Sequence, residues 1–451
     1  MTLLSALPAS DSYRVTGSGA RPSAFAVSEL ATASFAAVGQ ELIRLMKSLN
    51  LVSDAPELTV DHRLASLWYG FSFKPEGWEM PSLWDAIAGD YQASDGWIRL
   101  HTNLPAHRQA ALKILRVKPD RDAVTQVVRT WSIVDLEAAI VAEGGATAAM
   151  RSRSEWLEHP QGRAVSRDPL IGWHNPRQVT LRDRPQATAE RPLAGLRVLD
   201  MTRVLAGPIA TRALAGFGAE VLRIDPPSWD EPGVIPDVSL GKRCAYLDMK
   251  TPAGLEAVQD LLSQADVFVH GYRPGALDAL GLTQTKRDAL APNRIEVTLN
   301  AYGWQGPWSN RRGFDSLVQM SAGIADAGRS WAKADKPTPL PVQALDHATG
   351  YLMAAAALSA LSEAALGNSI MQARLSLART AELLAVLGKA ETSNEITRAN
   401  PTDYAPAPEK SDWGVGHRLK PALRVGGTDM IWSRPASKLG TSDPIWPSLK
   451  P

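Results

Sequence analysis

Alternating strand and helix patterns between residues 195 and 299 constrain the fold of this 451-residue chain more than any other feature. Residues 195–201 form a short apolar run that is typical of a buried strand, and residues 219–225 form a second one. Between them, residues 206–217 have helical spacing, and Gly218 follows directly. A strand, a helix and a strand within about 30 residues predict a βαβ unit with two parallel strands.

The alternation continues along the chain. Strands are predicted over residues 245–249, 266–270 and 294–299, and a helix over residues 251–264, with Thr251 as its N-cap. Repeated crossovers of this length predict an α/β fold with a doubly wound, mostly parallel, Rossmann-like sheet. Such sheets bind ligands beyond the carboxyl ends of their strands, so the residues that follow each strand are the candidates for function.

Changes in pattern divide the rest of the chain. A long helix is predicted over residues 24–49 after a loose arm, and residues 91–103 predict a hairpin. The predicted organisation is an N-terminal arm and helix (1–57), a small α+β domain (58–165), a linker (166–191), the Rossmann-like domain (192–390) and an irregular C-terminal tail (391–451).

Composition excludes several classes of function. The 48 basic and 47 acidic residues leave a formal net charge of +1, so no overall field favours a nucleic acid or an anionic membrane. The single cysteine, Cys244, excludes an internal disulfide framework and a cysteine-rich metal centre, and it fits a cytoplasmic location. The longest apolar stretch, residues 350–361, is too short to span a bilayer, and residues 1–10 lack the basic start of a signal peptide.

The loop after the first strand of the βαβ unit lacks the usual nucleotide motifs. Residues 202–208, TRVLAGP, match neither the G-x-G-x-x-G of a dinucleotide site nor a P-loop. No H-E-x-x-H or G-x-S-x-G occurs in the chain. The chain is therefore not predicted to be a dehydrogenase or an NTPase, and this loop could equally be a structural turn in which Gly207 allows close packing.

Two later loops carry positive charge. Lys242, Arg243 and Lys250 surround one predicted strand and could hold phosphates, or could form an ordinary solvated strand end. Tyr272 and Arg273 follow the next strand, where an aromatic face beside a guanidinium suits an adenine next to a phosphate, although a simple turn fits as well.

Asp346 lies in the segment 341–350, PVQALDHATG, which precedes an apolar helix predicted over residues 351–366. It could simply be the N-cap of that helix. Alternatively, the helix N-terminus could keep its carboxylate ionised as a nucleophile, with His347 as a candidate base.

Five segments in this order resemble the class III CoA-transferases, the CaiB/BaiF group that includes formyl-CoA transferase and α-methylacyl-CoA racemase. They are residues 192–227, 241–254, 265–281, 311–323 and 341–350. Residues 91–165, with DGWIRL and EHPQGRAV, resemble the small domain of the same family. In the family that domain follows the CoA-binding motifs, whereas here it precedes them, so the domain order is rearranged.

The resemblance implies a site residue by residue. The family's nucleophilic aspartate corresponds to Asp346, and its CoA contacts correspond to Val204, Leu205, Ala206, Leu247, Asp248, Met249, Lys250, Gly271, Tyr272, Arg273 and Arg312. Pro226 and Ala279 stand where formyl-CoA transferase has CoA-binding arginines, and Phe314 stands where the racemase has its histidine. The family's glycine-rich active-site loop has no counterpart.

The resemblance implies acyl-CoA:carboxylate CoA transfer through an aspartyl anhydride and an aspartyl-CoA thioester. Coenzyme A and acyl-CoA are then substrates, a small carboxylate is the acceptor, no tightly bound cofactor or metal is expected, and the chain forms a homodimer. Two alternatives remain open at this point, an acyl-CoA racemase or isomerase and a non-catalytic CoA-binding subunit. The sequence does not specify the donor or acceptor acid.

Overall fold

The computed structural model describes residues 3–389 and 394–447. Its strands are β1 (Arg14–Thr16), β2 (Leu58–Asp61), β3 (Phe73–Pro75), β4 (Gly89–Gln92), β5 (Trp97–Leu100), β6 (Thr147–Ala149), β7 (Gly172–Arg177), β8 (Arg197–Met201), β9 (Glu220–Asp225), β10 (Lys242–Tyr246), β11 (Val267–His270), β12 (Ile295–Asn300), β13 (Ile370–Ser376), β14 (Glu409–Ser411), β15 (Gly414–Arg418), β16 (Leu423–Val425) and β17 (Thr428–Asp429). Its helices are α1 (Val27–Ser48), α2 (His62–Trp68), α3 (Pro105–Leu115), α4 (Arg121–Val128), α5 (Ile133–Ala142), α6 (Arg153–Glu158), α7 (Pro160–Arg167), α8 (Ala206–Gly216), α9 (Ile235–Val238), α10 (Pro252–Ser263), α11 (Ala276–Ala279), α12 (Gln284–Leu290), α13 (Asp315–Ser321), α14 (Ile324–Ala332), α15 (Ala344–Ala365) and α16 (Leu377–Leu387).

A seven-stranded sheet forms the centre of the molecule, in the order β10-β9-β8-β11-β12-β13-β7. The first six strands are parallel, and β7 pairs antiparallel with β13 at one edge. Every residue of β8 and of β11 is buried, as expected for strands covered by helices on both faces. The predicted α/β class with a large, mostly parallel sheet is therefore confirmed. The strand order reverses between β8 and β11, which is where such sheets bind their ligands.

The sheet is covered on one face by the long helix α15, which is buried around most of its circumference. It packs between α1 and α8, and the rings of Phe35 and Tyr351 lie 4.0 Å apart between their centroids. At the crossing with α8, Gly350 faces the backbone of Ala206, and a Cβ on Gly350 would lie 2.4 Å from the Ala206 carbonyl oxygen. The absence of a side chain at Gly350 therefore sets how closely the two helices approach.

Replacing Gly350 with Ala is expected to lower the free energy of unfolding by about 1–3 kcal/mol, because an added methyl group in a packed contact forces backbone shifts. This loss should appear even though Ala favours an isolated helix over Gly by about 1 kcal/mol. Chemical denaturation measures the effect. Gly427→Ala is the control, since no atom lies within 4 Å of its added Cβ. Unchanged stability of Gly350→Ala would show that the helix contact is not tight.

A smaller sheet, β4-β5-β6, is antiparallel and is covered by α3, α4 and α5. The predicted hairpin is its first pair, with Tyr91 opposite Ile98. The strands β2 and β3 also fall within residues 58–165, but they pair instead with β16 and β15 of the C-terminal segment.

Three predicted segments differ from the structure. The predicted linker, 166–191, contributes β7 to the central sheet, and the N-terminal arm contributes β1, which pairs with β2. The tail, predicted to be irregular, contains β14 to β17. These strands have two to six residues and little apolar alternation, so only their partners in the fold identify them.

No helix among residues 3–389 and 394–447 is both long and apolar enough to cross a bilayer. The same residues contain no cluster of three or more His, Cys, Asp or Glu side chains that could hold a metal ion.

Candidate active site

Two cavities meet at the carboxyl ends of β8 and β11. The large cavity has a volume of about 540 Å³ and lies between the segments 69–71, 82–85, 101–104, 204–205, 230–237, 314–316 and 341–347. The small cavity has a volume of about 250 Å³ and lies along the ends of the parallel strands. Val204, Phe314 and Asp346 line both of them.

Asp346 is the third residue of α15 and is only 6% exposed. Its carboxyl accepts a hydrogen bond from the backbone N–H of Ala206, the first residue of α8. The N-cap of α15 is Gln343, so the alternative that Asp346 merely caps this helix is wrong. The helix begins seven residues before its predicted start, which places Asp346 inside the first turn.

A second carboxyl group lies beside Asp346. Asp315, the first residue of α13, accepts the backbone N–H of Asp346 at 2.9 Å and also that of Leu345. Burial raises the pKa of Asp315. The pKa of Asp346 is raised well above its usual value by burial first, then by the charges of Asp315 and Glu231. Burial and the neighbouring carboxyls therefore shift the pKa of Asp346 in the direction opposite to the one expected from a helix N-terminus.

The loop after β8 is held in an unusual conformation. Val204 has a φ of 65°, in the left-handed region that a β-branched residue rarely adopts. Its N–H donates to both carboxylate oxygens of Glu231, at 3.0 and 3.1 Å. Strain of this kind persists only where surrounding contacts hold it, and it is concentrated at functional sites.

Four arginines line the small cavity. Arg311 is ion-paired with Glu137 at 2.8 Å, and Arg203 lies over the ring of Trp229. Arg273 and Arg312 have no carboxylate partner among the described residues. Burial first, and then the charge of Arg273, lower the pKa of Arg312. An unneutralised pair of this kind favours an anionic ligand.

The structure brings one part of the predicted site together and leaves another part outside. The predicted residues that line one or both cavities are Val204, Leu205, Ala206, Gly271, Arg273, Arg312 and Asp346. Those that line neither are Leu247, Asp248, Met249, Lys250 and Tyr272. Leu247, Met249 and Tyr272 pack on one apolar cluster, farther along the same edge of the sheet.

The cations around β10 are not equivalent. Lys242 is fully buried and ion-paired with Asp200 at 2.9 Å, and Arg243 donates to the backbone carbonyl of Ile445. Lys250 alone of the three is exposed. The strand β10 begins with a buried charged residue, Lys242. The apolar pattern starts only after it, so the sequence predicts this strand three residues too late.

Sequence reasoning did not select several residues of the site, among them Asp315, Glu231, Arg203 and Arg311. Arg203 lies in the loop TRVLAGP, and Asp315 lies in RRGFD at the start of the segment 311–323, so both stand within segments that the sequence analysis singles out. Glu231 has no local signal, because only the fold brings it to Val204. His347, the candidate base, is 3% exposed, and burial lowers its pKa to about 3, so it is a neutral and very weak base.

Part of the chain is similar to known proteins. Residues 193–407 match the model of CoA-transferase family III. The acetyl-coenzyme A transferase nodX of Hypoxylon pulicicidum is 36% identical over 191 residues, 41% of this chain and 32% of that protein. The succinyl-CoA:glutarate CoA-transferase of Mus musculus is 37% identical over 156 residues, 31% of this chain and 36% of that protein.

A solved CaiB/BaiF family protein from Brucella suis is 27% identical and covers 50% of this chain and 65% of its own, with a TM-score of 0.39. The chain spans about a third of the length of the two curated relatives. Residues 193–407, a little under half of the chain, are therefore similar to CoA-transferase family III.

Proposed function

We propose that the protein is an acyl-CoA:carboxylate CoA-transferase in which Asp346 is the nucleophile. The observation that carries this proposal is the position of Asp346, a buried carboxyl where an arginine-lined cavity meets a larger one. An acyl-CoA has negatively charged phosphates at one end and a thioester at the other, joined by a long flexible chain. The arginines suit the phosphate end. The large cavity then takes the acyl group at the other end.

The reaction begins when a carboxylate oxygen of Asp346 attacks the thioester carbonyl carbon of the donor. The carbon–sulfur bond breaks, CoA leaves as the thiolate, and an aspartyl–acyl anhydride remains. The thiolate then attacks the aspartyl carbonyl carbon, which releases the donor acid and leaves an aspartyl-CoA thioester. An acceptor carboxylate repeats these steps in reverse order and departs as the new acyl-CoA.

The surroundings of Asp346 suit these intermediates. The Ala206 N–H, which already donates to the Asp346 carboxyl, stays beside that oxygen as the aspartyl carbon becomes tetrahedral and negative charge develops there. The low exposure of Asp346 shields both the anhydride and the thioester from water. Because its pKa is raised, Asp346 must lose a proton before it can attack, so the rate should increase with pH.

The test of this function is chemical trapping. Incubation with an acyl-CoA followed by hydroxylamine should convert Asp346 to its hydroxamate, which peptide mass spectrometry detects. Transfer of CoA to an added carboxylate, followed by chromatography, should accompany it. CoA binding without an adduct and without transfer would instead support a non-catalytic CoA-binding subunit.

Arg273 and Arg312 are proposed to hold phosphate groups of coenzyme A. We propose that the flexible chain of coenzyme A, between its phosphates and its sulfur, lies along Val204, Leu205 and Ala206, with Gly271 beside them. The adenosine end is assigned to the residues that line neither cavity but lie at the same edge of the sheet, namely Leu247, Asp248, Met249, Lys250 and Tyr272.

Replacing Arg273 or Arg312 with Gln is expected to raise the Kd for coenzyme A about tenfold, because a hydrogen bond to a charged group contributes about 1.5–3 kcal/mol. The salt dependence of binding should weaken at the same time. Titration calorimetry at two ionic strengths measures both. Arg129→Gln is the control, since Arg129 is exposed at the end of α4 and lines neither cavity. An unchanged Kd in both variants would remove the phosphate assignment.

The racemase alternative needs a base at the α-carbon of the acyl group. His101 is the imidazole nearest to Phe314, with its ring stacked 3.7 Å away between centroids. Burial lowers the pKa of His101 to about 3, so it holds an abstracted proton too weakly at neutral pH. Deuterium exchange at the α-carbon without any acceptor acid would nevertheless favour that alternative over transfer.

A further inference from the structure

The acidic and basic side chains that line the large cavity are all carboxyls, apart from two histidines. Its wall includes the carboxyl groups of Asp85, Asp230, Glu231, Asp237 and Asp315, besides Asp346 itself. No lysine or arginine among the described residues lines it. The small cavity has the opposite character, with four arginines.

The arginines behind this wall are already neutralised. Arg108 is ion-paired with Asp85 at 3.1 Å, and Arg99 with Asp90 at 2.7 Å. Asp237 is shared by Arg212 and Arg418, at 2.5 and 3.2 Å.

One further arginine, Arg21, lies near the cavity but not on its wall. Its guanidinium donates to the backbone carbonyl of Ser66 at 2.7 Å. It lies behind Gly70, where a Cβ would be 3.3 Å from Arg21 Nη2. Gly70 and Val342 line the cavity at that point, whereas Arg21 does not.

The two imidazoles on the wall supply no positive charge either. Burial lowers the pKa of both His101 and His347 to about 3, so both are neutral. The rest of the wall is largely apolar or aromatic, with Phe71, Leu205 and Phe314 among its side chains. A volume of about 540 Å³ has ample room for an acyl chain of several carbons.

We infer, on the basis of the proposed function, that this enzyme exchanges CoA between monocarboxylic acids whose side chains are uncharged. The restriction to uncharged side chains applies to donor and acceptor acids alike, because each in turn forms an anhydride with Asp346 and places its side chain in the same cavity. A dicarboxylic acyl group would bring its second carboxylate to a wall that has no lysine or arginine among the described residues. The arginines behind that wall already pair with Asp85, Asp237 and Glu231, and an unpaired buried charge is costly.

The test uses donors of equal chain length that differ by a terminal carboxylate. Pentanoyl-CoA is compared with glutaryl-CoA, and butanoyl-CoA with succinyl-CoA, with acetate as the acceptor throughout. The neutral donor of each pair should have a kcat/KM at least tenfold higher. Equal or better use of glutaryl-CoA and succinyl-CoA would overturn the inference.

Binding separates this inference from the proposed function. In an Asp346→Asn variant, which cannot form the anhydride, calorimetry should still show tenfold tighter binding of pentanoyl-CoA than of glutaryl-CoA. If the variant shows this binding preference but the unmodified protein turns over no donor, the transferase proposal is disproved. The assignment of the large cavity to uncharged acyl groups would still hold. Equal affinities would disprove the assignment itself.

Charge reversal on the wall gives a matched pair of variants. Asp230→Lys should decrease the ratio of kcat/KM for pentanoyl-CoA to that for glutaryl-CoA, because it adds a cation to the large cavity. Glu158→Lys, an exposed position at the end of α6 outside both cavities, should leave the preference unchanged. A preference for glutaryl-CoA that Arg21→Gln abolishes would overturn the inference and assign the distal carboxylate to Arg21.

Discussion

Replacing Asp346 with Asn is expected to abolish CoA transfer, with a loss in kcat of about 10⁴-fold or more, as when a covalent nucleophile is removed from other enzymes. The amide has the shape of the carboxyl, and its oxygen can still accept the Ala206 N–H. Binding of coenzyme A should therefore persist. Chromatography of CoA esters measures transfer, and calorimetry measures binding. Retained turnover in this variant would disprove the mechanism.

The same variant should also unfold less readily at alkaline pH. The folded-state pKa of Asp346 lies above its unfolded value. The free energy of unfolding that this carboxyl contributes is therefore lost as pH rises through the folded pKa. Asn does not titrate and avoids this loss, which amounts to about 1.4 kcal/mol for each unit of difference in pKa. The control is Asp122→Asn, an exposed aspartate on α4. Equal stability of the Asp346→Asn variant and the unmodified protein at high pH would show that Asp346 is not held protonated by its surroundings.

The central sheet could be predicted from sequence because each strand carries its own signal. The runs that became β8, β9 and β11 are short, apolar and separated by helices of regular spacing, so their class and connection follow from local pattern alone. The edge strand β7 has no such signal. Its sequence, GWHNPR, is mostly polar, and only pairing with β13 makes it a strand.

The sequence selects the proposed nucleophile, but it does not predict the direction of the pKa shift of that residue. Asp346 was identified through the motif around it, and the structure places it at both cavities. Its pKa is raised by burial first, and then by the charges of Asp315, 31 positions away along the chain, and of Glu231, 115 positions away. Only the fold brings the three carboxyls together, so a helix N-terminus considered alone suggests the opposite direction of the pKa shift.

The proposed phosphate-binding residues also show what the sequence predicts and what it does not. Arg273 and Arg312 were selected from two separate motifs, and the structure brings them close enough for one to lower the pKa of the other. Lys242 appeared equivalent to them in sequence. Its burial against Asp200 could not be seen without knowing that β8 and β10 lie on either side of β9.

Asp315 is expected to act as a positioning residue that sets the working pH of the enzyme. It holds the first turn of α15 through the N–H groups of Leu345 and Asp346, and its charge raises the pKa of Asp346. In Asp315→Asn the repulsion disappears while an acceptor oxygen remains. The acid limb of the profile of kcat against pH should therefore move to lower pH, by about one unit for a like charge this close.

Asp315→Ala supplies the contrasting case, because it removes the acceptor as well as the charge. The two N–H groups of α15 then lose their partner, and kcat should decrease about 100-fold as Asp346 loses its orientation. Profiles of kcat against pH for both variants, with Asp326→Asn on α14 as the control, separate the two effects. A lower kcat with an unmoved acid limb in Asp315→Asn would mean that Asp315 only supports the helix, whereas a limb that moves to lower pH requires its charge to act on Asp346.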